Sequence, residues 1–221
     1  MKLSNWLQKN WLTVIVALAP YVVLLIFWNQ LPDRVPGHWN VQGEVDRYDP
    51  KISLVFLPLL TVFILGIFWA IPLIDPKGKA KKFENVINRI ALVFALFMLA
   101  MFGMVIYAAL GNQPDVGSYV IFAILGLTFF LGNLFGKFKP NYFIGIRTPW
   151  TLESEEIWRK THRLGGFVWV GGSILMIVLK LFIPAEKFVI PFVVFFALIT
   201  LIPIIYSFLL FKSQNGQAND I

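Results

Sequence analysis

Apolar residues gather into six runs along this chain, Trp11–Trp28, Ile52–Ile74, Ile90–Leu110, Tyr119–Phe135, Phe167–Ile183 and Phe188–Phe211, with polar stretches between them. A hydrocarbon core of about 30 Å takes about 20 helical residues to cross at about 1.5 Å each. The runs lack the apolar–polar alternation of a barrel strand, so helices remain as the way to satisfy their backbone groups in lipid. The expected fold class is therefore all-α, a polytopic membrane protein of six transmembrane helices, with 1–221 as a single membrane domain. Within it, 11–74 makes a first helix pair around an outer loop at 30–51. Residues 88–211 make a four-helix part that contains an inner motif at 136–166.

Charge orients the helices. With the N-terminus in the cytoplasm, only Arg34, Arg47, Lys51, Lys180 and Lys187 of the 19 basic residues lie outside. Positively charged loops stay on the cytoplasmic side, so both termini are expected there. The net charge of +7 then belongs to the inner face, where anionic lipid favours it. Topology accounts for that charge, and direct nucleic-acid binding is not expected. Membrane lipids are the first partner that the composition implies.

The hydrophobic fraction is 58% and the charged fraction 14%, where a soluble domain carries about 25% charged residues. There is no cysteine, which excludes thiolate metal sites and cysteine nucleophiles. His38 and His162 fall on opposite sides of the bilayer, and no Ser neighbours either of them as a hydrolase triad requires. No cofactor, no metal site and no enzymatic activity are expected. The first run follows Lys2 and Lys9 but holds Pro20 and ends without a small-residue cleavage site, so it reads as an uncleaved signal anchor. No lipidation motif accompanies it.

No ionisable group sits near a midplane; Arg89 and Lys180 lie at span ends, where they can snorkel. Asn133 lies between Gly132 and Gly136, a GxxxG spacing. It reads either as a helix contact bonded across the interface or as a direct binding group. Pro58, Pro72, Pro191 and Pro203 are expected to kink their helices, and the pairs Gly165-Gly166 and Gly171-Gly172 to act as flexible points.

Two polar segments exceed a tight turn. The outer one, Gln30–Lys51, holds Pro32, Pro36, Pro50, Gly37 and Gly43. The stretches 38–41 and 44–47 flank Gln42-Gly43 and suggest a short hairpin. Trp39 and Tyr48 suit the membrane interface. The inner segment, Gly136–Gly166, suggests an interfacial amphipathic helix that starts at a Thr151 or Ser154 cap and feeds the fifth span. Glu155 and Glu156 favour its first turn and are spaced for i,i+4 pairs with Arg159 and Lys160. Arg147 is expected to pair with Glu155 or Glu156. A plain interface anchor explains the same residues. The loop at 75–88 reads as a Lys-rich anchoring turn, and the tail after Phe211 as frayed.

The run GIRTPWTLESEEIWRKTHRLGG, with Gly132-Asn133 and Asn141 before it, resembles the signature of the SdpI family of bacterial membrane immunity proteins. Arg147, Thr148, Pro149, Trp150, Trp158, Thr161, His162 and Arg163 fill its pattern, and Ile157 replaces a common Val. A second module often found ahead of it is matched by Leu31, Pro32, Pro36, His38, Trp39, Asn40, Gly43, Glu44 and Asp46. The resemblance implies a bacterial inner-membrane protein that confers immunity to a secreted, membrane-active peptide toxin of the sporulation-delay type. In the member that names the family it also implies signalling, with a small cytoplasmic repressor held at the membrane. On that basis Pro36, His38, Trp39, Asn40, Gly43 and Glu44 are candidates for the toxin-facing site. Arg147, Thr148, Pro149, Trp150, Glu156, Trp158, Arg159, Thr161, His162 and Arg163 are candidates for the inner partner. The competing class is a transporter or membrane enzyme acting on a small lipid or peptide, with Arg147, Glu156, His162 and Arg163 as its polar site.

Overall fold

The computed structural model describes residues 3–40, 42–75, 78 and 80–219, with side chains through Gln214. Lys2, Val41, Lys77, Lys79 and Asp220, which entered the loop and charge readings, lie outside the described residues. The elements run α1 (Leu3–Lys9), α2 (Trp11–Phe27), β1 (Arg34–Trp39), β2 (Val45–Pro50), α3 (Phe56–Ile74), α4 (Glu84–Ala109), α5 (Val116–Phe135), α6 (Pro149–Glu153), α7 (Glu155–Lys180) and α8 (Ala185–Asn219). Short 3₁₀ turns, Lys51–Val55 and Ala80–Phe83, lead into α3 and α4. Among the described residues, five helices are long and apolar enough to cross a membrane, and α1 with α2 makes a sixth candidate broken by an 87° bend. The chain is an all-α polytopic membrane protein with one small two-stranded sheet.

The helices pack as two groups. α2 and α3 lie against α4, α7 and α8 lie with α5, and α4 meets α5 between them. The α5–α7 seam is close because it is lined with glycine. A Cβ on Gly132 would come within 2.8 Å of the Trp169 Cβ, and one on Gly166 within 3.0 Å of the Gly132 carbonyl. Small residues let backbones approach in lipid, where apolar burial alone gives helices little reason to associate. Gly165 likewise packs on Phe135, and a Cβ on Gly172 would strike the Phe195 ring. Three of the four glycines read as flexible points are thus packing positions, and only Gly171 faces open space.

Other expectations are corrected by geometry. A Cβ on Gly136 would meet nothing within 4 Å, so Gly132 meets α7 while Gly136 meets no helix. Asn133 is exposed, and its amide donates back to the Phe129 carbonyl of its own helix at 2.9 Å. It makes no bond across an interface. Lys180 does not snorkel: it is buried, and its ammonium donates to Ser118 Oγ at 2.7 Å and to the Ile183 carbonyl at 3.3 Å, closing α5 against the α7–α8 turn. Pro72 lies inside α3, and Pro191 and Pro203 inside α8, where the sequence places them within spans. α8 also continues past Phe211 to Asn219, where a frayed tail was expected.

α1 is an element that hydropathy alone missed, because it is too short to span. Its bend from α2 brings Trp6 inward, where the indole N–H donates to Asn88 Oδ1 at 3.1 Å, and Lys9 pairs with Glu84 at 3.2 Å. The fold therefore has two ends. One carries the hairpin and the α4–α5 and α7–α8 turns. The other carries α1, the Ala80–Phe83 turn, the segment 136–154 and the end of α8.

Candidate functional site

At the hairpin end, β1 and β2 pair antiparallel with Val35 opposite Asp49 and Trp39 opposite Val45. The strands are longer than the expected hairpin and include Pro36 and Pro50. Val35 is wholly buried among Leu24, Leu31, Leu54, Phe102 and Ile106, which fastens the hairpin to α2 and α4. Pro36 is buried beside it.

The residues of the outer module mostly build the turn. The Asn40 N–H donates to the Glu44 carbonyl, the Glu44 N–H donates to Asn40 Oδ1, and the Asn40 amide donates to Glu44 Oε2 at 3.1 Å. Gly43 takes φ +82°, a conformation that side chains rarely adopt, and its N–H donates to the Asn40 carbonyl. His38 Nδ1 lies 2.6 Å from Asp46 Oδ1 across the sheet. Arg47 pairs with Asp49 at 3.1 Å. A side chain at Gly37 would collide with the Asp49 carboxylate.

Trp39 is the module's large apolar group and makes none of these turn bonds. It stands half-buried between two recesses. One is a cleft of 740 Å³ between the hairpin and the α4–α5 turn, bounded by Trp39, Tyr48, Arg34, Glu44, Asn112 and Asp115. The other, of 400 Å³, is mainly apolar and reaches Phe56, Leu60 and Phe102. Hydrogen bonds from the Ser118 side chain and backbone hold the Asp115 carboxyl below the usual carboxylate range, with Lys180 adding to the effect. Asp115 is therefore an anion at the cleft wall at neutral pH.

At the other end, the inner segment folds back on itself around His162. The His162 imidazole is 1% exposed. Its Nε2 accepts the Ile146 N–H at 2.9 Å, and its Nδ1 lies 2.8 Å from the Trp158 carbonyl. Those two bonds require the neutral ring with the proton on Nδ1. The ring stacks on Trp158 at 4.1 Å and 22°. The Trp158 indole N–H in turn donates to the Phe138 carbonyl at 2.9 Å. Gly145 takes φ +116°, and any side chain there would collide with His162 Nε2.

The remaining loop groups are satisfied in the same inward way. Asn141 is buried and makes four bonds: its amide donates to the Lys139 and Ile144 carbonyls, and its carbonyl accepts the Phe143 and Ile144 N–H groups. Thr148 caps α6 with Pro149 at the first helical position, and Thr148 and Thr151 satisfy each other's backbone N–H. Thr151 also donates to the Ile146 carbonyl at 2.9 Å. Ser154 caps α7 by accepting the Ile157 N–H. Trp150 leaves the loop to reach α8, where its indole N–H donates to Ser207 Oγ at 2.7 Å and its ring stacks on Phe211. Thr161 is the exception: it is fully buried on α7, and its hydroxyl has no hydrogen-bond partner among the described residues.

Glu155–Lys180 is one helix, so the inner motif is the first turns of the fifth span, and Trp158 is core rather than a surface anchor. The Arg147 pairing also differs. Its guanidinium donates to the Tyr142 carbonyl, while Glu156 pairs with Lys160 at 2.7 Å and accepts from Gln214 at 3.2 Å. Among the described residues, Glu155 and Arg159 form no ion pair. The motif presents Arg147, Glu156, Arg159 and Arg163 outward. Sequence reasoning passed over Gly145 and Ser207 as site residues. Gly145 begins the GIRTPW run, and Ser207 is a lone hydroxyl in an apolar helix; both were visible, but their partners were not.

Residues 137–207, from the inner loop through most of α8, match the SdpI/YfhL protein family. Residues 15–62, which hold α2, the hairpin and the start of α3, match a domain of unknown function, DUF1648. Along nearly its full length the chain is similar to the immunity protein SdpI of Bacillus subtilis strain 168, at 24% identity over 217 residues, covering 96% of this chain and 100% of that protein. No solved structure matches. The two family matches thus fall on the two ends of the fold, one on the hairpin and its turn, the other on the His162 network.

Proposed function

We propose that this chain is a multi-pass immunity protein of the bacterial cell membrane that protects against a secreted, membrane-active peptide toxin. The hairpin end faces outward and receives the peptide. The motif end faces the cytoplasm, with both chain termini, and couples to a small repressor. The observation that carries this reading is the full-length similarity to an immunity protein, with both modules in the same order. Charge supports the orientation, since the motif end carries most of the basic residues.

The 740 Å³ cleft beside Trp39 supports the outer role, because a peptide needs an open recess with an aromatic edge. Coupling between the ends requires two helix arrangements that the two partners favour differently. The seam from Gly132 to Gly166 and the Trp150–Ser207 tie offer connected elements for that change. The reading as an enzyme or transporter needs an accessible polar site at Arg147 and His162. A His162 that is buried with both nitrogens engaged speaks against it.

A test uses cells exposed to the sporulation-delay peptide. Expression of the chain should protect them. Trp39→Ala should remove protection by losing the cleft edge, and Arg147→Ala and Trp150→Ala should remove it by detaching the loop from itself and from α8. Arg147→Lys should also fail, because an ammonium cannot reproduce the planar guanidinium. Full protection by all four variants at wild-type abundance would sink the proposal.

A further inference from the structure

A groove of 330 Å³ opens at the motif end between α7 and α8, lined by Arg159, Lys160, Arg163, Leu164, Phe167 and Tyr206. It is built differently from the rest of that end. Lys160 pairs with Glu156 at 2.7 Å, and that carboxylate also feels the Arg159 charge, but among the described residues neither Arg159 nor Arg163 makes an ion pair. The two arginines are four residues apart on one helix, about 6 Å along its axis, so both guanidinium groups reach the same spot. Arg163 lies over the Phe167 ring at 5.9 Å, which leaves its N–H edges free while its face is covered.

The groove also changes character along its length. Phe167 is 67% exposed and begins the apolar run of α7, one turn beyond Arg163. Tyr206 lies within the apolar run of α8, short of Lys212, and is half-buried with a hydroxyl at its tip. Cations at one end and lipid-facing aromatics at the other straddle the boundary between water and hydrocarbon. The polar cluster fits a phosphate, and the apolar continuation fits the chain attached to it.

We propose that this groove binds the phosphate of an anionic phospholipid, with Arg159 and Arg163 as the ligating pair and Phe167 and Tyr206 flanking the glycerol and upper acyl region. A soluble phosphate ester would satisfy the arginines but leave the apolar half of the groove unused, and an acidic protein segment would not need it. The proposal does not rest on the immunity reading, since it concerns lipid and requires no toxin.

The test is lipid retention by the purified full chain, reconstituted with equal amounts of phosphatidylglycerol and phosphatidylcholine and read by native mass spectrometry. The wild-type chain should retain phosphatidylglycerol preferentially. Arg159→Gln with Arg163→Gln should lower that preference at least about fivefold, and Arg163→Gln alone should lower it in part. Both side chains are exposed, so the melting temperature should hold. Lys81→Gln with Lys82→Gln removes the same charge from exposed positions at the same end and should leave the preference intact. Equal loss in the two double variants would reduce the effect to a diffuse surface field and overturn the proposal. Displacement of the lipid by millimolar glycerol 3-phosphate would assign the site to a soluble phosphate ester instead. Arginine-dependent binding of an oligoglutamate peptide with unchanged lipid preference would make it a protein-docking face.

Discussion

Gly145→Ala should collapse the inner motif. The Gly145 backbone sits at φ +116°, which an alanine adopts only with strain, and its added methyl would collide with His162 Nε2 and lie 3.2 Å from Trp158. Strain in such a region costs about 1–3 kcal/mol. Displacing His162 would also orphan the part-buried Ile146 N–H, a further loss of up to about 1–3 kcal/mol. The variant should melt well below the wild-type chain, and the Ile146 amide should lose its protection from hydrogen exchange. Gly136→Ala is the matched control, because its position is open and its backbone is already helical at φ −63°. If both variants melt alike and Ile146 stays protected, the loop is not held by His162.

Trp158→Ala should be comparably damaging for a different reason. The indole is 1% exposed, packs with Ile90, Leu134, Phe135 and Phe138, and covers one face of His162. Truncating a buried Trp costs about 3–5 kcal/mol. It would also strip the Phe138 carbonyl of its donor. Trp158→Phe separates the two effects: the ring remains against His162 and the hydrogen bond goes, so the loss should fall to about 1–3 kcal/mol. Thermal unfolding in detergent reads both. Equal losses for Phe and Ala would mean that the hydrogen bond, not the packing, carries the site.

Legibility in the sequence depends on range. The five long spans, and the sixth candidate at α2, were legible because a hydrocarbon slab imposes a length and a polarity that a chain carries openly. The α7 start was legible too, since Ser154 followed by Glu155 and Glu156 is a local cap and first-turn signal. The hairpin was only half legible: Gly43 marked the turn, but the strands continue through Pro36 and Pro50 because Val35 is buried against α2 and α4, a tertiary fact. The inner motif was read as an interfacial helix that meets a partner, with Trp158 and His162 among its candidate residues. Their inward use depends on Phe138 and Ile146, which lie 20 and 16 residues from their partners. Asn133 erred the other way. Its GxxxG setting suggested a contact, but α7 packs on the Gly132 side of the helix. Arg147 found a carbonyl where a carboxylate was expected, because Lys160 already holds Glu156 from the same helix.

The central claim is that the hairpin end engages the peptide while the motif end carries the response to the cytoplasmic side. Binding of the sporulation-delay peptide to the purified chain tests it most directly, comparing wild type with Trp39→Ala and Trp150→Ala. Trp39 borders the cleft, and Trp150 lies at the opposite end, tied to Ser207. The account predicts that Trp39→Ala weakens binding at least about tenfold, as the loss of a central aromatic anchor does, and that Trp150→Ala binds as the wild-type chain does. Wild-type binding by Trp39→Ala together with lost binding by Trp150→Ala, at equal thermal stability, would contradict it.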